Sequence, residues 1–375
     1  MRTHYKLEGT PNSPVLIFSN SLGSNYHMWD DLVPLLLPYF QVLRYDTRGH
    51  GHSAVTQGEY SIRLLAEDVI QLADDLGIEK FAFCGLSMGG LIGQYLGIHH
   101  ANRLNHLVLS NTGAKIGDHA RWTERAERIA AVGTQGMTDE FLQRWFSDDF
   151  LEKEIHKIEK LKKMIAQSPD AGYISSCAAI RDADFRHDLE KISVPTLVIT
   201  GDEDPVTNVE QAEFLADQIP NSHLYVMMGT KHLCATERPA DYANKLIDFI
   251  VGTSVEERGM HIRRTVLGAE HVDKANAKKN AFNSDFQEFI TDYAWGEIWS
   301  RPGLSKSQRS YITLAMLIAL NRKDEFKMHV KAAFNNGLRK EEIKEIIMHA
   351  SIYCGLPAAN EAIHSAEEVF SLLGK

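Results

Sequence analysis

The stretch Phe81-Ala-Phe-Cys-Gly-Leu-Ser87-Met-Gly-Gly90 decides the fold of the first part of the chain. Its apolar beginning predicts a buried strand, and the residues after Ser87 predict a helix. The small residues around the serine permit a strained turn that lifts its side chain out of the sheet. We therefore interpret Ser87 as a nucleophile on a strand-turn-helix elbow, with the Met88 N–H facing the oxygen of the reacting carbonyl. The alternative is a structural glycine turn.

The sequence on both sides of this stretch alternates between short β-branched runs and helical segments up to about residue 250. Buried parallel strands joined by helical crossovers have this pattern, so we predict an α/β fold. The stretch from about 112 to 192 is longer than one crossover helix needs, and it predicts an inserted helical cap. The predicted strands are 15–18, 41–45, 81–85, 104–109, 196–200 and 223–228, and the predicted cap helices are 121–132, 138–146 and 151–167.

A serine hydroxyl is a poor nucleophile at neutral pH, so Ser87 needs a base, and the base needs a carboxylate that orients it. The predicted strand 196–200 leads into Gly-Asp-Glu-Asp-Pro, and the strand 223–228 leads into Gly-Thr-Lys-His. Both turns lie just beyond strand ends, in the chain order serine, acid, histidine. We predict His232 as the base and Asp204 as the acid, and we prefer Asp204 to Asp202 because it lies deeper in its turn.

The loop after the first predicted strand reads Ser-Asn-Ser-Leu-Gly from residue 19, and its backbone N–H groups can point at the serine. We predict that Ser21 or Leu22 supplies the second donor of an oxyanion hole, beside Met88. The segment 46–53 contains two histidines, but a strand-end turn with two glycines is more often architectural. We interpret that segment as structural.

Composition and charge limit the class of protein. The chain has 375 residues, 44% hydrophobic and 24% charged, as in an average globular protein, and this length suggests two or three domains. A formal charge of -10, from 40 basic and 50 acidic residues, argues against a general nucleic-acid binder. The sequence has no signal-peptide pattern and no apolar stretch of membrane length, and its four cysteines are far apart. We therefore expect a cytoplasmic protein without a membrane partner.

The strand pattern stops after Val251, and the polar stretch that follows predicts a linker. The rest of the chain is predicted to be helical, with helices that begin near Ser284, Ser305, 323 and 340, and a fifth in the tail. Ser284 and the capping-box pair of Ser305 and Gln308 are the expected N-terminal caps. The predicted domains are 1–252, with the cap at about 112–192, a linker at 253–259, and an all-α domain at 260–375.

Four titratable or charged side chains of the helical half are spaced so that they could pair with one another and take part in acid-base catalysis. Glu297 is predicted on the apolar face of its helix and needs a partner, which Arg309 on the next helix can provide. Glu325 and His329 are four residues apart on one helix, close enough to share a proton. The alternative is that these are solvated charges or an ion pair that fixes packing, and spacing alone favours that alternative.

The first half resembles the α/β-hydrolase superfamily and, within it, the 3-oxoadipate enol-lactonases. The motifs that carry the resemblance extend over about residues 1–250 and read FSNSLGSNYHMW, YDTRGHGHS, GLSMGG, ITGDEDPVT and GTKHLCATERP. The resemblance implies a small lactone with a carboxylate as the substrate. A basic or aromatic group of the cap then lines the pocket, and the candidates are Lys115, Arg144 and Trp145.

The second half resembles the 4-carboxymuconolactone decarboxylases, small all-helical proteins related to the alkylhydroperoxidase AhpD fold. The motifs lie within about 258–375 and read YAWGEIWSRPGL, RSYITLAMLIAL, EFKMHVKAAFNNGL and IYCGLPAAN. Peroxidase members use a C-x-x-C pair near this histidine, and its absence here disfavours thiol redox chemistry. The resemblance makes His329 and Glu325 the leading catalytic candidates, with Glu297 and Arg309 in second rank.

The two resemblances together imply a bifunctional enzyme of the protocatechuate branch of the 3-oxoadipate pathway. It decarboxylates 4-carboxymuconolactone and hydrolyses the resulting 3-oxoadipate enol-lactone to 3-oxoadipate, with neither cofactor nor metal, because the unsaturated lactone can delocalise the electrons itself. Apolar helices near 311–320 and 343–353 predict a homo-oligomer, either a trimer or a hexamer. The alternatives are a general carboxylesterase with a helical oligomerisation domain and a non-catalytic, hydrolase-like lactone receptor.

Overall fold

The computed structural model describes residues 2–11, 13–301 and 303–374 of the chain. The chain divides into two compact units. The first consists of Met1–Leu7, Pro14–Val33 and Val42–Leu246, and the second consists of Glu8–Ser13, Pro34–Gln41 and Ile247–Lys375. Within the described ranges, no helix combines the length and the apolar character that crossing a membrane requires.

A seven-stranded sheet positions the residues of the serine site. The pairs β2–β4, β4–β5, β5–β6 and β6–β7 are parallel, so the carboxyl ends of these strands meet at one edge. The spatial order is β1-β3-β2-β4-β5-β6-β7. The strands are β1 (Tyr5–Glu8), β2 (Val15–Ser19), β3 (Gln41–Tyr45), β4 (Phe81–Leu86), β5 (Leu104–Ser110), β6 (Thr196–Gly201) and β7 (Ser222–Met227).

All six predicted strands are present, and their ends differ from the predicted ends by at most one residue. The central strands are buried on both faces, as β4 illustrates with six buried residues out of six, whereas β7 at the edge of the sheet is mostly only partly buried. The sequence analysis does not predict β1. Half of its residues are exposed and the others only partly buried, so it lacks the apolar run that marks the other strands.

Helices join the strands of the sheet up to residue 250. Those outside the cap are α1 (Val33–Leu36), α2 (Ile62–Asp75), α3 (Met88–His99), α9 (Val209–Gln218), α10 (Cys234–Glu237) and α11 (Pro239–Ile250). The cap, between β5 and β6, contains α4 (His119–Gly136), α5 (Thr138–Trp145), α6 (Asp148–Lys153), α7 (Ile155–Ala166) and α8 (Asp170–Asp182). Single 3₁₀ turns occur at Tyr26–Trp29, Ala101–Arg103 and Leu189–Lys191.

The cap differs from its prediction in two places. The segment 151–167 is divided between α6 and α7, because Glu154 leaves the helical region with φ -104° and ψ 41°. The helix α8 was not predicted, since the residues that it buries include Gly172 and Ser176 beside Tyr173, and small or polar residues give no amphipathic pattern. Five cap helices are therefore described where three were expected.

The second unit is helical from residue 255 onwards. Its helices are α12 (Val255–Leu267), α13 (Ala269–Asn276), α14 (Ser284–Phe289), a π-helix (Ile290–Trp299), α15 (Lys306–Ala319), α16 (Lys323–Asn335), α17 (Lys340–Cys354) and α18 (Leu356–Leu372). An apolar core holds the last four helices together and includes Leu314, Ile318, Phe326, Val330, Ile343, Ile347, Ala362 and Val369.

Two sequence-based expectations for this unit need correction. The segment 253–259 is helical from Val255, because Ser254 and Glu257 form a capping box that begins α12. Ser284 is the first residue of α14 and not its cap, and the preceding Asn283 makes no side-chain capping bond. The capping box of Ser305 and Gln308 is present as predicted.

Candidate functional site

Ser87 lies on a tight turn between β4 and α3. Its backbone has φ 58° and ψ -111°, which is strained for a residue other than glycine. The flanking glycines make the turn possible: a Cβ atom on Gly85 would lie 2.0 Å from the Gly89 carbonyl oxygen, and one on Gly89 would lie 2.3 Å from that of Ser19. The Ser87 N–H donates to the Ser110 carbonyl at the end of β5 over 2.9 Å. The local geometry is that of a nucleophile elbow.

The loop after β2 forms one wall of the pocket next to this serine. Ser21 and Leu22 line the same pocket as Ser87. Met88 begins α3 directly after the serine, so its N–H belongs to the unsatisfied first turn of that helix. These are the positions from which backbone donors can reach a carbonyl oxygen that Ser87 attacks.

Hydrogen bonds hold this loop in place. The Gly89 N–H donates to the Asn20 carbonyl over 3.2 Å, and the Gly23 N–H donates to His50 Nε2 over 3.1 Å. Burial lowers the pKa of His50, which keeps its ring neutral and able to accept that bond. The segment 46–53 thus supports the loop, in agreement with its structural interpretation.

The turns after β6 and β7 bring Asp204 and His232 together. Asp204 Oδ2 lies 2.8 Å from His232 Nδ1, and both side chains are buried. The carboxylate also accepts hydrogen bonds from the N–H groups of Val206 (2.8 Å) and Thr207 (3.1 Å) and from the Thr207 hydroxyl (2.8 Å). Burial by itself raises the pKa of Asp204, but the charge of His232 and these donors hold it below its ordinary value. Asp204 is therefore ionised and can orient the imidazole.

Asp202, the other acidic candidate, has a different role. Its carboxylate accepts hydrogen bonds from the N–H groups of Gly229 (2.6 Å) and Thr230 (3.3 Å), so it connects the two turns without touching His232 in this structure. His232 lines the pocket that Ser87 also lines. The structure thus places the serine and the histidine on one pocket, with Asp204 hydrogen-bonded to the histidine behind it.

Asn111, the residue after β5, was missed by the sequence analysis. It is buried and has a positive φ of 43°. Its Nδ2 donates to Asp204 Oδ2 (3.0 Å) and to the Lys231 carbonyl (3.2 Å), while its Oδ1 accepts from Cys234 Sγ (2.9 Å). Asn111 therefore links the acid to the loop that carries the histidine. The sequence could have indicated Asn111 by its position, because it directly follows a predicted strand, as the other residues of the site do.

Three arginines of the cap, Arg121, Arg125 and Arg144, line the pocket. The pKa of Arg144 is lowered, mainly by burial and in second place by the positive charges of Arg125 and Arg121. The three guanidinium groups are therefore close enough to repel one another. Glu140 lies 3.3 Å from Arg125 and 3.5 Å from Arg144, so one carboxylate faces two of these three cations. The rest of the lining is largely aromatic or apolar: Trp122, Phe141, Trp145, Tyr173 and Val206. The pocket therefore favours a small anionic ligand.

The expectation that Lys115 lines this pocket needs correction. Its Nζ lies 3.3 Å from a carboxylate oxygen of Asp184, and its side chain belongs to a separate groove with Arg186 and Phe214. Arg144 and Trp145 do line the serine pocket. Sequence periodicity identifies the apolar face of a cap helix, but it cannot tell which polar residues at the edge of that face point into a cavity.

His329, on α16 of the second unit, is half-buried beside an aromatic ring. Its ring centroid lies 6.5 Å from that of Trp299, with the planes 20° apart. Its Nδ1 is buried and has no hydrogen-bond partner among the described residues. Burial, together with the nearby His271, lowers the pKa of His329 to about 4, although Glu325 opposes this effect. The ring is therefore neutral at neutral pH.

The other three candidates of the helical half do not cluster as predicted. Glu325 is exposed and influences His329 through its charge. Glu297 is also exposed; its predicted place on the apolar face assumed the period of an α-helix, whereas it lies in a π-helix. Arg309 donates from Nη2 to the Arg301 carbonyl over 2.9 Å rather than to Glu297.

Comparison with known proteins divides the chain into an N-terminal part and a C-terminal part of different families. Residues 14–239 match the alpha/beta hydrolase fold family, and residues 284–368 match the carboxymuconolactone decarboxylase family. The first match covers the sheet from β2 to β7 with the cap, and the second covers the helices from α14 into α18.

Individual relatives agree with the family matches. The 3-oxoadipate enol-lactonase 2 of Acinetobacter baylyi is 42% identical over 236 residues, which cover 63% of this chain and 88% of that protein. The 4-carboxymuconolactone decarboxylase of the same organism is 54% identical over 118 residues, which cover 32% of this chain and 88% of that protein. The crystal structure of the enol-lactonase from Burkholderia xenovorans LB400 superimposes with a TM-score of 0.65 at 38% identity, covering 66% of this chain and 96% of that one.

Both resemblances seen in the sequence are thereby confirmed. The relatives of the first part are hydrolases and those of the second part include a lyase, so the chain is an enzyme with a part of each kind. It belongs to the α/β-hydrolase family through its N-terminal part and is a fusion of that enol-lactonase homologue with a C-terminal member of the carboxymuconolactone decarboxylase family.

Proposed function

We propose that the chain catalyses two consecutive reactions. The helical part decarboxylates 4-carboxymuconolactone to 3-oxoadipate enol-lactone, and the hydrolase part hydrolyses that lactone to 3-oxoadipate. The activities named for the two relatives support these substrates. The observation that carries the proposal is that Ser87, His232 and three arginines line one pocket, which combines a nucleophile with cations suited to an acidic lactone.

In the hydrolytic step, the hydroxyl oxygen of Ser87 attacks the lactone carbonyl carbon. His232 accepts the hydroxyl proton and returns it to the ring oxygen as the ring opens, and Asp204 orients the imidazole and stabilises its positive charge. The N–H groups of Met88 and of Ser21 or Leu22 stabilise the oxyanion. Water then hydrolyses the acyl-enzyme by the same route, with His232 again as the base.

The arginines of the cap account for selectivity. The enol-lactone has one carboxylate, and its tetrahedral intermediate adds a second negative charge at the oxyanion. Guanidinium groups pair with carboxylates through two parallel hydrogen bonds, and a buried position strengthens the attraction. We therefore assign the binding of the substrate carboxylate to the group of Arg121, Arg125 and Arg144, with Trp145 packing against the ring.

Decarboxylation requires a place for the electron pair that carbon dioxide leaves behind. In 4-carboxymuconolactone that pair can move through the ring double bond onto the lactone carbonyl oxygen. The protein therefore has to hydrogen-bond this oxygen, bind the remaining carboxylate and supply a proton to the ring. The neutral ring of His329, tuned by Glu325, is suited to hydrogen-bond the developing negative charge, and Arg309 and Glu297 remain the second-rank candidates.

The chain is further proposed to form a homo-oligomer, a trimer or a hexamer, through its helical unit. Large apolar side chains at the end of α15 and on α17 and α18 are exposed: Leu320 directly after α15 (67%), Ile352 (79%) and Tyr353 (77%) of α17, and Leu356 (74%) of α18. Exposed apolar groups gathered on one helical unit are typical of a protein–protein interface.

The serine mechanism makes the first prediction. Ser87→Ala and His232→Ala should each lower kcat/KM for enol-lactone hydrolysis by about 10⁴-fold or more, because the nucleophile or its base is lost. Carbon dioxide release from 4-carboxymuconolactone should remain near that of the wild type. The matched control is His223→Ala, an exposed histidine of β7, which should keep both activities. Near-normal hydrolysis by Ser87→Ala would refute the mechanism.

The arginine cluster makes the second prediction. Arg144→Met should raise KM for the enol-lactone by about tenfold to a hundredfold, since a charge-assisted hydrogen bond is lost. It should have a much smaller effect on a butenolide without the carboxylate. Arg128→Met is the control, because Arg128 contacts Glu140 from outside the pocket lining. Equal effects on the charged and the neutral lactone would rule out this role for Arg144.

The helical site makes the third prediction. His329→Ala should slow carbon dioxide release by roughly 10²–10⁴-fold, and Glu325→Gln should have a milder effect because it alters only a charge beside the ring. Enol-lactone hydrolysis measured in the same preparations should not change. His364→Ala, at an exposed histidine of α18, serves as the control. Unchanged carbon dioxide release by His329→Ala would exclude this histidine.

The exposed apolar surface makes the fourth prediction. Light scattering of the wild type at micromolar concentration should give the mass of a trimer or hexamer. Ile352→Glu should lower that mass, because a charge on an apolar interface is left without a partner. Val132→Glu, at an exposed valine of the cap, should not. A monomeric wild type would refute the proposal.

A further inference from the structure

The second unit contains a cavity of about 300 Å³ that the function proposed so far does not use. Trp299, Leu304, Lys306 and Asn336 line it, together with residues of the segments 8–13 and 34–41 that belong to the same unit. A cavity of this size can hold a small ring with carboxylate substituents.

Lys306, the first residue of α15, is the unusual member of this lining. Its side chain is only 3% exposed, and its Nζ has no hydrogen-bond partner among the described residues. An ammonium group that is buried without a partner opposes folding, because it loses its hydration and gains nothing in return. A methionine would fill the same space without that cost, so the amine has a use other than packing.

Asn336 supplies a second unsatisfied group in the same lining. Its Nδ2 donates to the Ser310 hydroxyl over 2.8 Å, which fixes the orientation of the amide. Its Oδ1 is buried and has no partner in the part of the chain that the structure describes. Two residues of the cavity lining therefore carry a buried polar atom without a described partner, a donor on Lys306 and an acceptor on Asn336, as expected beside a site for a polar ligand.

One residue of the cavity lining also packs beside the candidate histidine of the helical part. Trp299 lines the cavity, and its ring lies nearly parallel to that of His329. His329 is itself a poor proton donor at neutral pH, because burial lowers its pKa to about 4 and the ring is neutral. Another group must therefore supply the proton that replaces carbon dioxide.

We propose that this cavity binds the carboxylated lactone substrate of the decarboxylation and that the Lys306 ammonium donates the proton to the lactone ring. The inference rests on the proposed decarboxylase function and names the group that completes it. In this proposal Lys306, and neither Arg309 nor His329, is both the cation beside the substrate and the proton donor. Asn336 Oδ1 is the acceptor for a polar hydrogen on the ligand or on a water that accompanies it.

In this step the lactone accepts the electron pair of the broken bond before its ring takes up a proton. The bond between the ring carbon and the departing carboxylate breaks, and its electron pair moves through the ring double bond onto the lactone carbonyl oxygen. The electrons return to the ring carbon next to the carbonyl, which takes a proton from the Lys306 Nζ, and the amine then recovers a proton from water. Burial lowers the pKa of Lys306 to about 7, so the ammonium is a ready donor at neutral pH.

The test uses the full chain with Lys306→Met, Lys306→Arg and, as the control, Lys344→Met, at an exposed lysine of α17. Carbon dioxide release from 4-carboxymuconolactone, hydrolysis of the enol-lactone and the melting temperature are measured for each. Lys306→Met should lose at least about 10²-fold in carbon dioxide release, as is typical of a lost general acid. Its hydrolysis should equal that of the wild type, and its melting temperature should not fall, since an unpaired buried charge has been removed.

The variant Lys306→Arg distinguishes the two proposed roles of Lys306, its positive charge and its donation of a proton. A guanidinium keeps the positive charge but does not release a proton near neutral pH, so KM should change little while kcat falls. Wild-type kcat in this variant would overturn the proton-donor role. Carbon dioxide release by Lys306→Met within threefold of the wild type, or its loss together with a lower melting temperature in both variants, would overturn the whole inference. If the wild type itself releases no carbon dioxide, the proposed decarboxylase function fails instead.

Discussion

The hydrogen bond between Asp204 and His232 is the interaction on which the arrangement of the first unit depends. It joins the turns after two neighbouring strands over 2.8 Å, and the parallel order of β4, β5, β6 and β7 is what places these turns at one edge. Asn111, which follows β5 on the other side of β6, donates to the same carboxylate and so adds a third strand end to the network. The carboxylate stays ionised although it is buried, because these donors outweigh the loss of water.

The two parts of the chain use electrostatics in opposite ways. The hydrolase pocket gathers three guanidinium groups, which suits a reaction whose intermediate carries more negative charge than its substrate. The helical part instead buries its amine and its imidazole, and burial lowers the pKa of both. Decarboxylation turns a localised carboxylate charge into neutral carbon dioxide and a delocalised ring anion, so surroundings of low polarity favour it.

The sequence predicts most of the sheet and the serine pocket, because buried parallel strands leave continuous apolar runs and the site residues follow their ends. It does not predict Arg121, Arg125 or Asn111, since their roles arise from the way the cap and β5 meet the pocket and not from any local pattern. In the helical part the π-helix Ile290–Trp299 invalidates reasoning from an α-helical period, which is why Glu297 and Arg309 do not pair. The burial of Lys306 is not predicted either, because a lysine at the start of a helix is normally solvated.

The most direct test of whether one chain performs both steps is to supply the purified protein with 4-carboxymuconolactone alone. Carbon dioxide and 3-oxoadipate are quantified in the same sample over time. Both products should form, in a final ratio of one to one, without any added cofactor. Carbon dioxide that forms while the enol-lactone persists, or ring opening of the starting lactone without carbon dioxide, would contradict it.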